Sequence, residues 1–585
     1  MAVLNKFSRG QLFALSLIGV FFLTACSAVK PESSAKESTP GASGGNADTL
    51  RLLYWQAPTI LNPHLSQGLK DFHASRITYE PLASYDKKGK LIPFLAAEIP
   101  SVENGGLARD GKSVIWKLKQ GVKWSDGQPF TAEDVVFTYK FLSNPSAAAT
   151  TTAYYEAAKS VEAVDDHTVK ITFKDANPAW ALLFIGQNGL ILPQHIFLKY
   201  NGSNAREAPG NLLPVGTGPY RVVEFKPGDI VVYEANPFFR VTNQPLFKRV
   251  ELKGGGDATS AARAVLQTGD VDFAWNLQVE APILKQLEAA GKGKLDIVFG
   301  GLAERIFLNQ TDPNQATADG ERSSLQFPHP FFTDKKVRQA FNYAIDRDTI
   351  NQQLYGQTGR PISNTLVGPE IYNSPNTTYK FDLAKAAALL DEAGWKLSNG
   401  NRIRSKNGVE LSVLFQTGVN PLRQKTQEII KQALTSIGVK VDLKSIDPSI
   451  YFSSDPANPD TASHFYADVQ MLTNGNENPD PGAYMKGWTC AEISQKKNNW
   501  SRTNGTRYCN PEYDKLWQQS TTELNSEKRR QLFIQMNDLL IKDAIVIPLV
   551  ARAKVSGSSN KLVGVDITPW DADTWNIKDW RRNDK

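Results

Sequence analysis

Catalytic signatures are scarce in this chain of 585 residues, and so are histidine and cysteine, with six and three. His64 and His73 stand nine apart and no HExxH pattern occurs, so a zinc hydrolase has no ligand set to build on. Gly254-Gly255-Gly256 lacks the lysine of a phosphate loop. Gly216-Thr217-Gly218 runs into Pro219-Tyr220 and cannot open a dinucleotide-binding helix. Gly41-Ala42-Ser43-Gly44-Gly45 spells GxSxG, but it lies in a polar tract without the strand and helix that a nucleophile elbow needs. No dense basic stripe is present, which gives nucleic acid no footing. After Leu23 no apolar run approaches the length of a membrane span. What is abundant is aromatic. Twelve Trp and eighteen Tyr suit either hydrophobic cores or stacking on a bound ligand.

The N-terminus reads as an export leader. Lys6 and Arg9 precede an apolar stretch, Leu12–Leu23, too short for a comfortable span. Leu23-Thr24-Ala25-Cys26 then matches the lipobox of bacterial lipoproteins, with Cys26 as the lipidated residue; a plain cleaved signal or an uncleaved anchor is the alternative. The formal net charge of +6 falls to +4 once Lys6 and Arg9 leave with residues 1–25. Residues 26–48 are rich in Ser, Ala, Gly, Pro, Lys and Glu, which predicts a disordered tether spanning on the order of 25 Å. The remaining cysteines, Cys490 and Cys509, form an even pair in an exported protein, which predicts a disulfide. The competing reading, two metal ligands, lacks nearby His or further Cys.

The body from residue 49 alternates strand and helix patterns, the mark of α/β architecture. Leu50–Trp55 reads as a strand stopped by Pro58. Val114, Trp116 and Leu118 alternate with Lys117 and Lys119 as a half-buried strand does. Ser125-Asp126-Gly127 supplies a turn. Thr131 stands at a helix N-cap, followed by Glu133 and Asp134 in the first turn and by the apolar face Val135, Val136, Tyr139 and Leu142. Asp334–Asp348, Phe381–Trp395, Gln424–Ile437, Pro511–Gln518 and Glu527–Leu540 read as helices. Val439–Leu443 and Asp543–Val550 read as strands.

The segment Gly121–Thr138, GVKWSDGQPFTAEDVVFT, closely resembles the signature of family 5 extracellular solute-binding proteins, the oligopeptide, dipeptide and nickel receptors of ABC importers. Tyr79-Glu80-Pro81-Leu82, Gly216-Thr217-Gly218-Pro219-Tyr220, Asn236-Pro237-Phe238-Phe239 and Gly269–Trp275 match further landmarks of that family. The resemblance implies a two-lobed periplasmic-binding-protein type II fold with a discontinuous first lobe and hinge crossovers. Lobe I is placed at 49–310 and 549–585, lobe II at 311–548. It further implies a protein with no cofactor and no catalytic activity, held to the cell envelope on the periplasmic side of a membrane, monomeric, and docking on the transmembrane subunits of a permease. Peptide is the ligand it implies, with an oligosaccharide or a nickel chelate as alternatives in the same family and a secreted hydrolase outside it.

Candidate ligand residues follow partly from the resemblance and partly from strand ends. Asn474–Tyr484, NGNENPDPGAY, resembles the family stretch whose first acid meets the ligand's α-amino group, and Glu477 occupies that position, Glu where Asp is usual. Read without the family, Glu477 is a solvated loop acid. Tyr54 and Trp55, and Trp275 with Asn276, end two strands where α/β folds place ligands. Core packing is the alternative for each aromatic. Tyr484 completes the set.

Overall fold

The computed structural model describes residues 48–66, 68–397, 400–453 and 456–583. The expected leader, nearly all of the tether and Cys26 lie outside the described residues. Among the described residues no helix is long and apolar enough to cross a membrane.

A seven-stranded sheet carries the first lobe, in the order 293–298, 554–559, 273–275, 49–54, 249–254, 230–235, 220–226. Its central strand, Thr49–Tyr54, runs parallel to Arg249–Gly254 and to Phe273–Trp275. Leu50, Leu52 and Tyr54 alternate inward, as period 2 requires, onto Tyr220, Tyr233, Val250, Phe273 and Trp580. Within Gly269–Trp275 the strand is Phe273–Trp275, and the helix before it, Ala258–Arg263, continues as a π turn through Thr268.

A second body of the same lobe is built around the signature segment. Strand Ser113–Lys117 pairs with Thr168–Phe173, which pairs with Ala158–Asp165. Helix Ala132–Ser143 packs against this sheet. Trp116, Trp124, Phe130, Val135, Phe137 and Phe141 share one core with Val169 and Ile171. Thr131 stands at the N-cap with Glu133 and Asp134 in the first turn, as the sequence predicts, and Glu133 is exposed. Asp134 does more than face the helix dipole. Its carboxylate accepts from Thr131 N at 3.0 Å, Trp124 Nε1 at 3.3 Å and Gln194 N at 2.9 Å. One buried acid therefore ties turn, helix and a segment sixty residues on.

The second lobe holds a six-stranded sheet, in the order 359–361, 546–552, 301–308, 469–476, 412–418, 440–446. Helices Lys335–Tyr343, Leu383–Glu392 and Pro421–Ser436 cover one face through Val337, Phe341, Leu389, Leu390, Ile430 and Leu434. Helices Pro511–Ser520 and Ser526–Lys542 contribute to the core on the other, through Tyr513, Phe533, Met536 and Leu540. Cys490 and Cys509 are bonded, with their Cα atoms 4.6 Å apart.

The chain passes between the sheets twice, at Phe299-Gly300 and at Ala553. Strand Gly301–Leu308 is paired inside the second sheet, with Val469–Asn476 and Val546–Arg552. The expected boundaries at 310 and 549 lie beyond the first of these strands and inside the last.

Candidate ligand-binding site

The two crossings bring a set of polar side chains from both lobes face to face. From the first lobe come Gln187, Asn276, Gln278, Lys554 and Asp573. From the second come Glu304, Asn420, Arg423, Glu477 and Arg552.

Glu477 follows strand Val469–Asn476. It is half-buried, and its Oε2 accepts from Gln187 Nε2 of the other lobe at 3.0 Å. Gln187 is itself buried and its Oε1 has no protein partner. Glu477 forms no ion pair among the described residues. Burial pushes its carboxyl up, an effect that Lys554 and the Gln187 hydrogen bond only partly offset. Lys554 spends its ammonium on backbone carbonyls, donating to Asp571 O at 2.7 Å and Thr568 O at 3.4 Å. Beside it Asp573 accepts from Ser556 Oγ at 2.6 Å through Oδ2, while Oδ1 is buried without a hydrogen bond among the described residues, 4.0 Å from His73 Nδ1.

Nearer the crossings, Arg423 from the first turn of helix Pro421–Ser436 forks onto Glu304 at 3.2 Å through Nε and Nη2. Burial opposes ionisation of Glu304, but Arg423, with Arg552 behind it, holds its carboxyl below the usual carboxylate range. Arg552 ends the returning strand. Its Nη2 donates to Asn276 Oδ1 at 2.8 Å. The Gln278 amide, turned with its oxygen toward the guanidinium, accepts from Nη1 at 2.7 Å. Asn420 caps helix Pro421–Ser436 and lies 3.0 Å from the Gln278 amide.

The family model for bacterial extracellular solute-binding proteins, family 5 Middle, matches residues 90–495. The chain belongs to this family. The oligopeptide-binding protein AppA of Bacillus subtilis is 29% identical over 452 residues, covering 76% of this chain and 77% of AppA. The nickel-binding periplasmic protein of Escherichia coli is 29% identical over 391 residues, covering 66% and 68%. The AppA crystal structure with a nonapeptide superposes with a TM-score of 0.75 at 25% identity, covering 92% of this chain and 99% of that one. NikZ of Campylobacter jejuni, solved with Ni(L-His), gives 0.76 at 24%, covering 92% and 100%. The type II periplasmic-binding fold is common to these structures.

In this solute-binding protein the expected ligand residues fall into two groups. Glu477 and Asn276 lie where the lobes meet, with Trp55 packed on the first lobe beside Asn276. Trp55 is half-buried and donates from Nε1 to Asn276 O at 2.8 Å, and Asn276 takes a left-handed φ of 55° that turns the chain there. Tyr54 and Trp275 stack on each other, rings 5.0 Å apart, inside the core of the seven-stranded sheet. Tyr484 lies within the second lobe, its ring 5.3 Å from the Arg305 guanidinium carbon and its hydroxyl 2.9 Å from Thr365 Oγ1. Sequence reasoning missed Gln187, Lys554, Arg552 and Arg423. Arg552 and Lys554 carried a signal: two charges interrupt the apolar run Ile545–Val555, where a buried strand has no use for them. Gln187 carried none.

Two ion pairs close the rims of the same junction. Lys425 meets Glu280 at 2.8 Å, and Lys486 meets Glu156 at 2.5 Å. An open groove of about 1250 Å³ lies elsewhere, lined by Lys117, Lys119, Asp166, His167 and Arg240. It touches only one lobe, so lobe closure cannot act on it.

Proposed function

We propose that this solute-binding protein is the receptor of an ABC importer that captures peptides between its lobes and delivers them to a membrane permease. The observation that carries the reading is Glu477: a half-buried carboxylate that makes no ion pair among the described residues and reaches from one lobe to the other. A peptide ammonium supplies the missing cation through a charge-assisted contact. Open and closed states interconvert by rotation about the two crossings, and a ligand touching both lobes favours the closed one. AppA, named an oligopeptide-binding protein, supports the assignment. Residues 49–299 with 554–583 form the first lobe and 301–552 the second, with Cys26 as a lipid anchor and the Cys490–Cys509 bridge formed in the envelope. The receptor works as a monomer without a catalytic step of its own.

The nickel-binding relative keeps a metal chelate as the second reading. Among the described residues no group of three or more His, Cys, Asp or Glu could hold a bare metal ion, so such a ligand would enter already chelated. Native mass spectrometry of protein purified without refolding decides between them. A ladder of co-purified short peptides is the expected result. A single metal-chelate or sugar mass in their place overturns the peptide reading.

A further inference from the structure

Lys486 stands between two acids that belong to different lobes. It ends helix Gly482–Lys486 of the second lobe, half-buried, and its Nζ donates to Glu156 Oε2 of the first lobe at 2.5 Å. Glu492 Oε1, on its own lobe, lies 3.4 Å from the same ammonium. The two acids differ in setting. The Glu156 side chain is 46% exposed, that of Glu492 9%. Glu492 is also fixed in place. Its turn, Cys490–Glu492, is pinned by the bond to Cys509 and by Asn504 N, which donates to Glu492 O at 2.8 Å. Arg502 Nη1 donates to the Glu492 carboxylate at 3.2 Å. Glu156 precedes strand Ala158–Asp165, at the end of the three-stranded sheet where Gly111 also lies. Leu524, in the turn between helices Pro511–Ser520 and Ser526–Lys542, covers that glycine: a methyl group on Gly111 would meet Leu524 Cδ2 at 2.8 Å.

Lys425, the cation of the other rim pair, has no such second partner. It meets Glu280 and, among the described residues, no acid of its own lobe within ion-pair distance. When the lobes part, Lys425 returns to water. Lys486 exchanges one carboxylate for another, because its flexible four-carbon stem lets the ammonium swing to Glu492. What Lys486 contributes to the closed form is then the difference between two ion pairs, not the worth of one.

We propose that Lys486 is a two-position switch for lobe closure, on Glu156 in the closed form and on Glu492 in the open one. This rests on the closure reading and adds to it the groups that set the balance of the two forms without touching a ligand. Removing the Glu156 charge favours the open form, and removing the Glu492 charge favours the closed one. A residue that only supports the fold gives no such opposition of sign. Salt screens the exposed Glu156 pair more than the shielded Glu492 pair, so salt favours the open form. Leu524 leaves Gly111 in the same motion, and the apolar surface it uncovers opposes opening.

Double electron–electron resonance on the ligand-free protein tests it, with spin labels at Lys140 and Gln535, exposed on helix Ala132–Ser143 of the first lobe and helix Ser526–Lys542 of the second. The labels are attached through introduced keto side chains, which leaves the native cysteines alone. Two distances are expected. Glu156→Gln raises the ratio of open to closed by about two- to fivefold, and Glu492→Gln lowers it by about as much, the range for a partly exposed ion pair. Both effects vanish in a Lys486→Met background. Raising KCl from about 0.05 to about 1 M moves the wild type in the direction of Glu156→Gln. Two distances whose ratio shifts with the same sign in both variants, shifts in neither, or still shifts in Lys486→Met overturn the switch and leave lobe closure standing. A single distance that no variant and no salt alters overturns lobe closure as well.

Discussion

Replacing Glu477 by Gln removes one charge, keeps the side chain's size and leaves an oxygen able to accept from Gln187. At about 4 Å and an effective dielectric near 20, an ammonium–carboxylate pair is worth about 4 kcal/mol. Stripping water from both groups takes back about half. The remaining ~2 kcal/mol predicts a loss of about 30-fold in affinity for peptides with a free amine. The same peptides with N-acetyl groups should bind wild type and variant within about twofold, and the difference between the losses isolates the ion pair. Calorimetry on protein freed of co-purified ligand reads both. Because burial raises the Glu477 carboxyl, wild-type affinity for free amines falls as pH drops through that raised value, and the variant's stays flat. A folded-state pKa above the unfolded one also means that ionising Glu477 costs stability. The contribution of Glu477 to the stability of the ligand-free protein is therefore fully present below its unfolded value and is lost as pH rises to the raised folded one. Glu477→Gln removes that loss, so its ligand-free melting point at pH 7 lies at or above that of wild type. Equal affinity losses for free and acetylated peptides would falsify the ammonium contact.

Other substitutions probe the scaffold. Reducing Cys490–Cys509, which closes a loop with a sequence separation of 19, lowers stability by about 3 kcal/mol on the chain-entropy model. Scanning calorimetry with and without reductant measures this, and thiols titrating on the native unreduced protein would show that the bridge is not formed. Asp134→Ala orphans Thr131 N, Trp124 Nε1 and Gln194 N, at about 2–4 kcal/mol in urea unfolding; a cost below about 0.5 kcal/mol would contradict the tie. Gly216→Ala would place its Cβ 2.1 Å from the Thr78 carbonyl oxygen, so the variant is recovered poorly folded. Wild-type melting behaviour would mean that this backbone approach is looser than described.

Local patterns made much of the scaffold legible. Alternation of Val114 and Trp116, the turn at Gly127, the Thr131 cap and the apolar stripe of helix Lys335–Tyr343, shorter than the expected Asp334–Asp348, all act over a few residues, and sequence carries such short-range information directly. The site was less legible, because its groups come from seven separate segments. Asn276 and Trp55 stood out as strand ends, yet the Tyr54 and Trp275 rings beside them stack in the core. A strand end does not say which way a ring points, and apolar faces on both sides of this sheet bury them. Gln187 meets Glu477 across 290 residues, a contact no local pattern encodes. Arg552 and Lys554 were visible as charges in an apolar strand, but their meaning depends on knowing that the strand crosses between lobes.

The returning strand has a consequence for how the molecule is made. Lys554–Ser559 is inserted between Gly293–Val298 and Phe273–Trp275, and Asp571 just beyond it meets Arg76 inside the first lobe at 3.3 Å. Residues 49–298 therefore lack an interior strand until the last part of the chain is available. The second sheet, all of it between 301 and 552, has no such gap. Folding order is then the reverse of sequence order: the later lobe can close first, and the earlier one waits for the C-terminus.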